Sequence, residues 1–412
     1  MTTSPRPAVD VARSHALARD AADPLAGFRN RFVIDDALVY LDGNSLGRLP
    51  RTTLERLQRE VAGAWGQRLI RGWDEGWLEL PARVGDLLGR AVLGAAPGQV
   101  VVGDSTTVCL YKLAAAALDL RPDRDEIVTE TANFPTDRYV LAGLAQARGL
   151  RVRWLSCEPA AGPTARELAE VLGERTALVC LSHVDYRSAH VADMAAISAL
   201  AHDAGALVLW DLCHSAGVLP VGLDRDGADL AAGCTYKYLN AGPGAPAFMY
   251  ARAALHDRLR QPVWGWLGRR EPFAMAAGYE PAPGAVSLLS GTPPVLGVAC
   301  VEEGARLVAE AGLEAIHAKA MALGAYLIEL ADARLSPLGV GLRSPREHAR
   351  RGAHVALTHP RARELCAQLA QLGVIVDHRA PNVIRVGLSP LTTRFVDVWD
   401  GVEALRGLLA RG

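Results

Sequence analysis

The stretch ALVLWDLCHSAGVLPVGLDRDGADLAAGCTYKYLNAGPG, residues 206–244, sets an acid and an amine 26 residues apart, Asp211 and Lys237. Residues 206–210 form a short apolar run that stops at the acid. That is the pattern of a parallel strand buried on both faces, delivering a side chain to a crevice at its carboxyl end. Residues 229–235 are a second apolar stretch leading into Tyr236 and Lys237. Gly242, Pro243 and Gly244 then break the chain, which predicts the lysine on a turn rather than in a helix.

Composition singles out the amine independently, because the chain has only three lysines, Lys112, Lys237 and Lys319, against 41 arginines. A guanidinium cannot condense with a carbonyl, whereas a buried amine can, so a lysine kept in an arginine-biased chain is a candidate for amine chemistry. A fixed carboxylate and a carbonyl-bonding lysine are the two protein groups that pyridoxal phosphate requires to act as an electron sink. His214, three residues beyond the acid, could orient it. The same spacing also fits a surface lysine beside a strand-end aspartate, and the residues by themselves leave both readings open.

The segments DLCHSAG (211–217) and TYKYLNAGPG (235–244) resemble the two cofactor motifs of the kynureninase family. YLDGNSLG at residues 40–47 is similar to a further family segment, and its glycines suit a turn with close backbone approach. The resemblance runs in family order over roughly residues 35–410.

The chain has 412 residues, half of them hydrophobic, and a net charge of −1, which predicts large cores and two domains. Near-neutral charge without a basic run argues against nucleic acid as a partner and leaves small molecules or a second copy of the chain. The first 20 residues lack a signal-peptide core, Asp10 and Asp20 suit a transit peptide poorly, and no later run is apolar enough to span a membrane. The seven cysteines are odd in number and contain no C-x-x-C pair, so no disulfide framework or zinc site is expected. A cytoplasmic location and no metal follow as expectations.

Taken in order, residues 52–70 and 82–95 read as helical, with a tryptophan-rich loop from Arg71 to Pro81 between them. A strand at 99–103 and an alanine-rich helix at 110–120 place Asp104, Ser105, Thr106 and Thr107 at a junction, where helix amino termini bind phosphate and where ordinary capping is the plainer reading. A strand at 127–129, the loop NFPTD (133–137) and a helix at 138–148 follow. Strands at 151–155 and 177–181 come next, the second ending at Ser182. His183 and His190 lack metal-ligand spacing and read as hydrogen-bonded structural groups. No G-x-G-x-x-G follows the first strand, which weakens a dinucleotide reading. The expected fold is α/β, a large doubly wound, mainly parallel sheet domain with a smaller α/β lobe. Residues 1–50 are expected to pack on the small lobe, 51–300 to form the large cofactor domain and 301–412 the small one.

The resemblance implies a fold-type I pyridoxal phosphate enzyme of aspartate aminotransferase-like architecture, acting as a homodimer with sites at the subunit interface. It implies that Lys237 bonds the cofactor, Asp211 pairs with its ring nitrogen and Phe134 stacks on its face. Thr106, Thr107, Ser182, His214 and Tyr236 complete the site, with Trp266 and Thr292 coming from the partner subunit. Arg385 would clamp the substrate carboxylate, and Asn44, Trp73 and Gly291 would line the substrate. The implied reaction hydrolyses L-kynurenine to anthranilate and alanine, with Asp137 and Tyr236 handling protons. Cys213 stands where the family usually has alanine.

Trp73, Gly291 and Thr292 fall where animal-type members, which favour 3-hydroxykynurenine, have histidine, serine and asparagine. An indole and a glycine have less hydrogen-bonding reach, so the unsubstituted substrate is expected to be preferred. Rival readings are an aminotransferase, a cysteine desulfurase or a non-catalytic cofactor-binding regulator. Against a desulfurase, residues 310–360 contain no cysteine to serve as a loop nucleophile.

Overall fold

The computed structural model describes residues 12–158 and 162–411, so residues 1–11 of the expected amino-terminal segment lie outside the described residues. Helix α1 (Arg13–Ala21) and strand β1 (Val39–Tyr40) open the chain, followed by α2 (Arg51–Gln58) and α3 (Leu80–Leu88). The expected helices at 52–70 and 82–95 are α-helical only in these parts and continue as π-type turns through 59–68 and 89–93.

The central sheet has seven strands: β2 (Val100–Val102), β3 (Glu126–Glu130), β4 (Arg151–Leu155), β5 (Thr176–Ser182), β6 (Leu207–Asp211), β7 (Leu230–Gly233) and β8 (Phe248–Ala251). Their order is β2-β8-β7-β6-β5-β3-β4. The five strands from β3 to β7 are parallel, while β8 runs antiparallel to both its neighbours. Runs such as LVCL and LVLW carry no polar alternation because both faces are covered, and every residue of β5 and β6 is buried. Helices α4 (Thr106–Asp119), α5 (Pro135–Arg148), α6 (Ala165–Val171) and α7 (Met194–Asp203) connect the strands.

Two of these helices begin earlier than the residue pattern predicts. α4 starts at Thr106, with Ser105 Oγ accepting from Val108 N at 3.5 Å, so Thr106 and Thr107 form its first turn. α5 starts at Pro135, which puts Asp137 in the first turn of a helix instead of in a loop.

After the sheet, α8 (Val295–Ala311) packs on α2 and α3 and continues across residue 300, and α9 (Leu313–Leu330) leads into the carboxy-terminal part. There, β9 (Gly341–Leu342), β10 (His354–Thr358), β12 (Asp377–Arg379) and β13 (Val383–Gly387) make an antiparallel sheet, with β11 (Val374–Ile375) pairing in parallel with β1. Helix α10 (Ala362–Gln371) packs on β12 and β13, and α11 (Phe395–Leu409) joins the same apolar core. Asp20 of α1 accepts from the backbone N–H groups of Phe395 and Val396 at 2.7 and 3.0 Å, satisfying two free donors at the start of α11.

Candidate active site

The carboxyl ends of β3, β5, β6 and β7 converge on one cavity. In-register pairing sets Ser182, the last residue of β5, beside Asp211, the last of β6. Asp211 Oδ1 accepts from Cys213 N at 2.7 Å, which fixes the carboxylate on the cavity floor. Ser182 Oγ donates to Asn133 Oδ1 at 2.8 Å and lies 3.5 Å from Asp211 Oδ2. Asp137, from the first turn of α5, is 2% exposed and points into the same space. Burial, and then the neighbouring Asp211 carboxylate, push its pKa well above the usual carboxylate range.

Lys237 sits on a turn beyond β7, as the breakers at 242–244 predict. Asn240 (φ 56°), Gly242 (φ 90°) and Gly244 (φ 73°) supply the left-handed backbone that closes it. Gly47 N donates to Tyr236 O at 2.7 Å, and a Cβ at Gly47 would lie 2.3 Å from Lys237 O. The glycine of the YLDGNSLG segment is therefore needed for close approach to the lysine turn. Lys237 Nζ is 3.1 Å from His214 Nε2. Burial, and then the charges of Lys237 and Arg385, depress His214 far below the usual imidazole range, leaving a neutral ring whose Nε2 can accept from the amine. Tyr236, half-buried on the same wall, keeps its phenol protonated because burial raises its pKa.

Thr106 and Thr107 close one end of the cavity with the hydroxyls and free N–H groups of the first turn of α4, and Phe134 forms part of its side. Tyr186, which the sequence reading did not single out, meets Phe134 edge-to-face at 5.1 Å and also lines the space. Its position directly beyond β5 was the available signal.

Arg385 is 1% exposed and lies off the cavity wall. Nε donates to Asp377 Oδ1 at 2.9 Å, Nη1 to Tyr186 O at 2.8 Å and Nη2 to Ser45 Oγ at 2.8 Å, with a further close contact from Nη2 to Asp377. Asn44 is fully buried beside it, and with its amide oxygen turned toward the guanidinium it accepts from Nε at 2.9 Å. Asp377 has no signature in the sequence, because it reaches Arg385 only through the antiparallel register of β12 and β13. Within the chain, Trp73 and Trp266 meet edge-to-face at 5.5 Å, while Gly291 and Thr292 are exposed. None of these four lines the cavity.

The chemistry of this donor set fits pyridoxal phosphate. A carboxylate lies on the floor, an amine on the wall and a helix amino terminus with two hydroxyls at one end, while Asp137 Oδ2 and His214 Nδ1 are buried without a partner. Among the described residues, no three His, Cys, Asp or Glu side chains cluster as a metal site, and no helix is long and apolar enough to cross a membrane.

Among solved structures, the chain is similar to a cysteine desulfurase from Thermococcus onnurineus NA1, with a TM-score of 0.80 and 19% identity over 94% of this chain and 98% of that one. A cysteine desulfurase from Escherichia coli gives 0.78 and 20% identity over 94% and 98%. At these identities the likeness establishes the fold alone. The fold is shared with these enzymes, and the donor set of the cavity fits pyridoxal phosphate. The family model "Kynureninase C-terminal domain" matches residues 316–405. A kynureninase from Pseudomonas fluorescens is 43% identical over 97% of this chain and 96% of its own length, and one from Burkholderia pseudomallei is 43% identical over 96% and 95%. The chain belongs to the kynureninase family, and is thus a hydrolase that uses pyridoxal phosphate.

Proposed function

We propose that this enzyme hydrolyses the Cβ–Cγ bond of L-kynurenine to give anthranilate and L-alanine, with 3-hydroxykynurenine the poorer substrate. The observation that carries the reading is the meeting of Lys237, Asp211 and Asp137 in one cavity, in a chain 43% identical to a kynureninase. The bound cofactor supplies an electron sink for the bonds at the substrate α-carbon. Asp211 holds its ring nitrogen, and the α4 terminus with Thr106 and Thr107 holds its phosphate. Lys237 Nζ takes the α-proton, and the neutral His214, accepting at 3.1 Å, keeps that amine aimed across the cavity. Asp137 and Tyr236, whose pKa values burial raises, deliver protons around the γ-carbonyl, where water adds.

Arg385 binds the substrate carboxylate by exchanging part of its pairing with Asp377, and Asn44 supports the guanidinium. Trp266 and Thr292 complete the cofactor site across the interface of a homodimer, which accounts for their distance from the cavity of their own chain. Trp73 and Gly291 face the substrate's aromatic end in the same assembly. The enzyme works in the cytoplasm, with residues 51–300 as the cofactor domain, 301–412 as the small domain and the segment before residue 51 packed on the latter.

Product analysis of the cofactor-loaded enzyme with L-kynurenine tests the reading. Anthranilate and alanine without any added 2-oxo acid are expected. Turnover that requires an amino-group acceptor, or sulfide released from cysteine in place of kynurenine cleavage, would replace it with one of the fold's other chemistries.

A further inference from the structure

Cys213 and Cys234 each stand two residues beyond the last in-register pair of adjacent parallel strands, Asp211 of β6 and Ala232 of β7. Their side chains already interlock. Cys234 N donates to Cys213 Sγ at 3.3 Å, Cys234 Sγ donates to Cys213 O at 3.7 Å, and the two thiols are within hydrogen-bonding reach of each other. Cys213 lines the cavity, whereas Cys234 is buried directly behind it. One sulfur faces the cavity, and the second is placed to resolve what forms on it.

We propose that Cys213 and Cys234 are an oxidisable dithiol in the wall of the cofactor cavity, which a hydroperoxide converts to a disulfide. Cys213 Sγ attacks the peroxide oxygen, the O–O bond breaks, and one water leaves, giving a sulfenic acid on Cys213. Cys234 Sγ then attacks Cys213 Sγ and displaces the hydroxyl as a second water, carrying the remaining thiol proton. Two thiols and one hydrogen peroxide become one disulfide and two waters. The hydrogen bond between the two thiols, then burial, raises Cys213 well above the usual thiol range, while against its own burial the same hydrogen bond and Lys237 lower Cys234, so Cys234 is placed to take the Cys213 proton as Cys213 attacks. The bond ties the residue two positions past Asp211 to the residue three before Lys237, fastening the two halves of the site together. The remaining cysteines have other surroundings, such as Cys109 donating to Gly103 O at 3.0 Å and Cys157 facing Glu130 at 3.4 Å. The inference rests on the thiols alone and does not depend on which amino acid is the substrate.

The test treats the cofactor-loaded enzyme with one equivalent of hydrogen peroxide, quenches with an alkylating agent in denaturant, and combines thiol titration with non-reducing peptide mapping. The titre is expected to fall from the seven free thiols toward five per chain, with a cross-linked peptide joining Cys213 to Cys234 that dithiothreitol releases. In Cys213→Ala the titre should remain at its starting six, with no cross-link. Seven thiols after treatment, a cross-link involving a different pair, or the same loss of two thiols in Cys213→Ala would overturn the proposal.

Discussion

Replacing Arg385 with lysine separates a substrate clamp from a structural tie. The guanidinium reaches Asp377, Tyr186 O and Ser45 Oγ in three directions at 2.8–2.9 Å, from a position 1% exposed. A single ammonium can satisfy the Asp377 carboxylate but cannot also reach both other acceptors. One or two buried charged hydrogen bonds are then lost, and each costs about 1.5–3 kcal/mol, so unfolding stability should drop by about 1.5–6 kcal/mol. Substrate recognition loses a fork-shaped pair with a carboxylate in exchange for a point charge. That difference of about 1.4–2.8 kcal/mol corresponds to a rise in KM of about tenfold to a hundredfold, with kcat changed much less. Steady-state kinetics with L-kynurenine and a urea titration of the same preparation give both quantities. Asp377→Asn provides the contrast, because it removes the competing carboxylate while leaving Arg385 in place, and its KM should be unchanged or lower. Reduced stability with an unaltered KM in Arg385→Lys would show that Arg385 only ties β13 to its neighbours and that the carboxylate is bound elsewhere.

Three further outcomes follow from the site and its surroundings. In a direct competition, L-kynurenine should show about tenfold to a hundredfold higher kcat/KM than the 3-hydroxy compound, from about 1–3 kcal/mol for an unpaired ring hydroxyl; equal specificity would refute the reading of Trp73 and Gly291. Gly47→Ala, whose Cβ would meet Lys237 O at 2.3 Å and Asn240 Cα at 2.8 Å, should cut kcat at least tenfold by displacing the lysine turn, and wild-type turnover in this variant would show that the turn yields freely. Glu130 is buried with its pKa pushed up to about 7, by burial and then by Asp185. The folded state therefore binds this proton more tightly than the unfolded one, and stability present below about pH 4.5 is lost as pH rises through about 7, by up to about 3 kcal/mol. Glu130→Gln should remove that part of the decline in urea titrations between pH 5 and 8, and an identical slope in both proteins would contradict it.

What was legible in the sequence was whatever a strand end or a chain break announces. Asp211 and Lys237 follow apolar runs short enough to be buried strands, and they meet in one cavity. The starts of α4 and α5 were hidden because Thr106, Thr107 and Pro135 are poor interior helix formers, yet acceptable in a first turn. The antiparallel course of β8 left no mark, since a strand buried on both faces reads alike in either direction. The scarcity of lysine singled out Lys237, which lines the cavity, but has a second cause. Lys112 and Lys319 are also buried, paired with Asp104 at 2.5 Å and with Asp23 at 2.6 Å, where a compact ammonium fits. The pairing of Arg385 with Asp377 depends on register between strands and could not be read from either residue's neighbours in sequence.

The most direct test of the central claim is to measure anthranilate and alanine released from L-kynurenine by the cofactor-loaded enzyme and by Lys237→Ala in parallel. The account predicts equimolar products from the wild type and none above background from the variant, because Lys112 and Lys319 are held in ion pairs elsewhere. Turnover by Lys237→Ala at a rate near that of the wild type would contradict it.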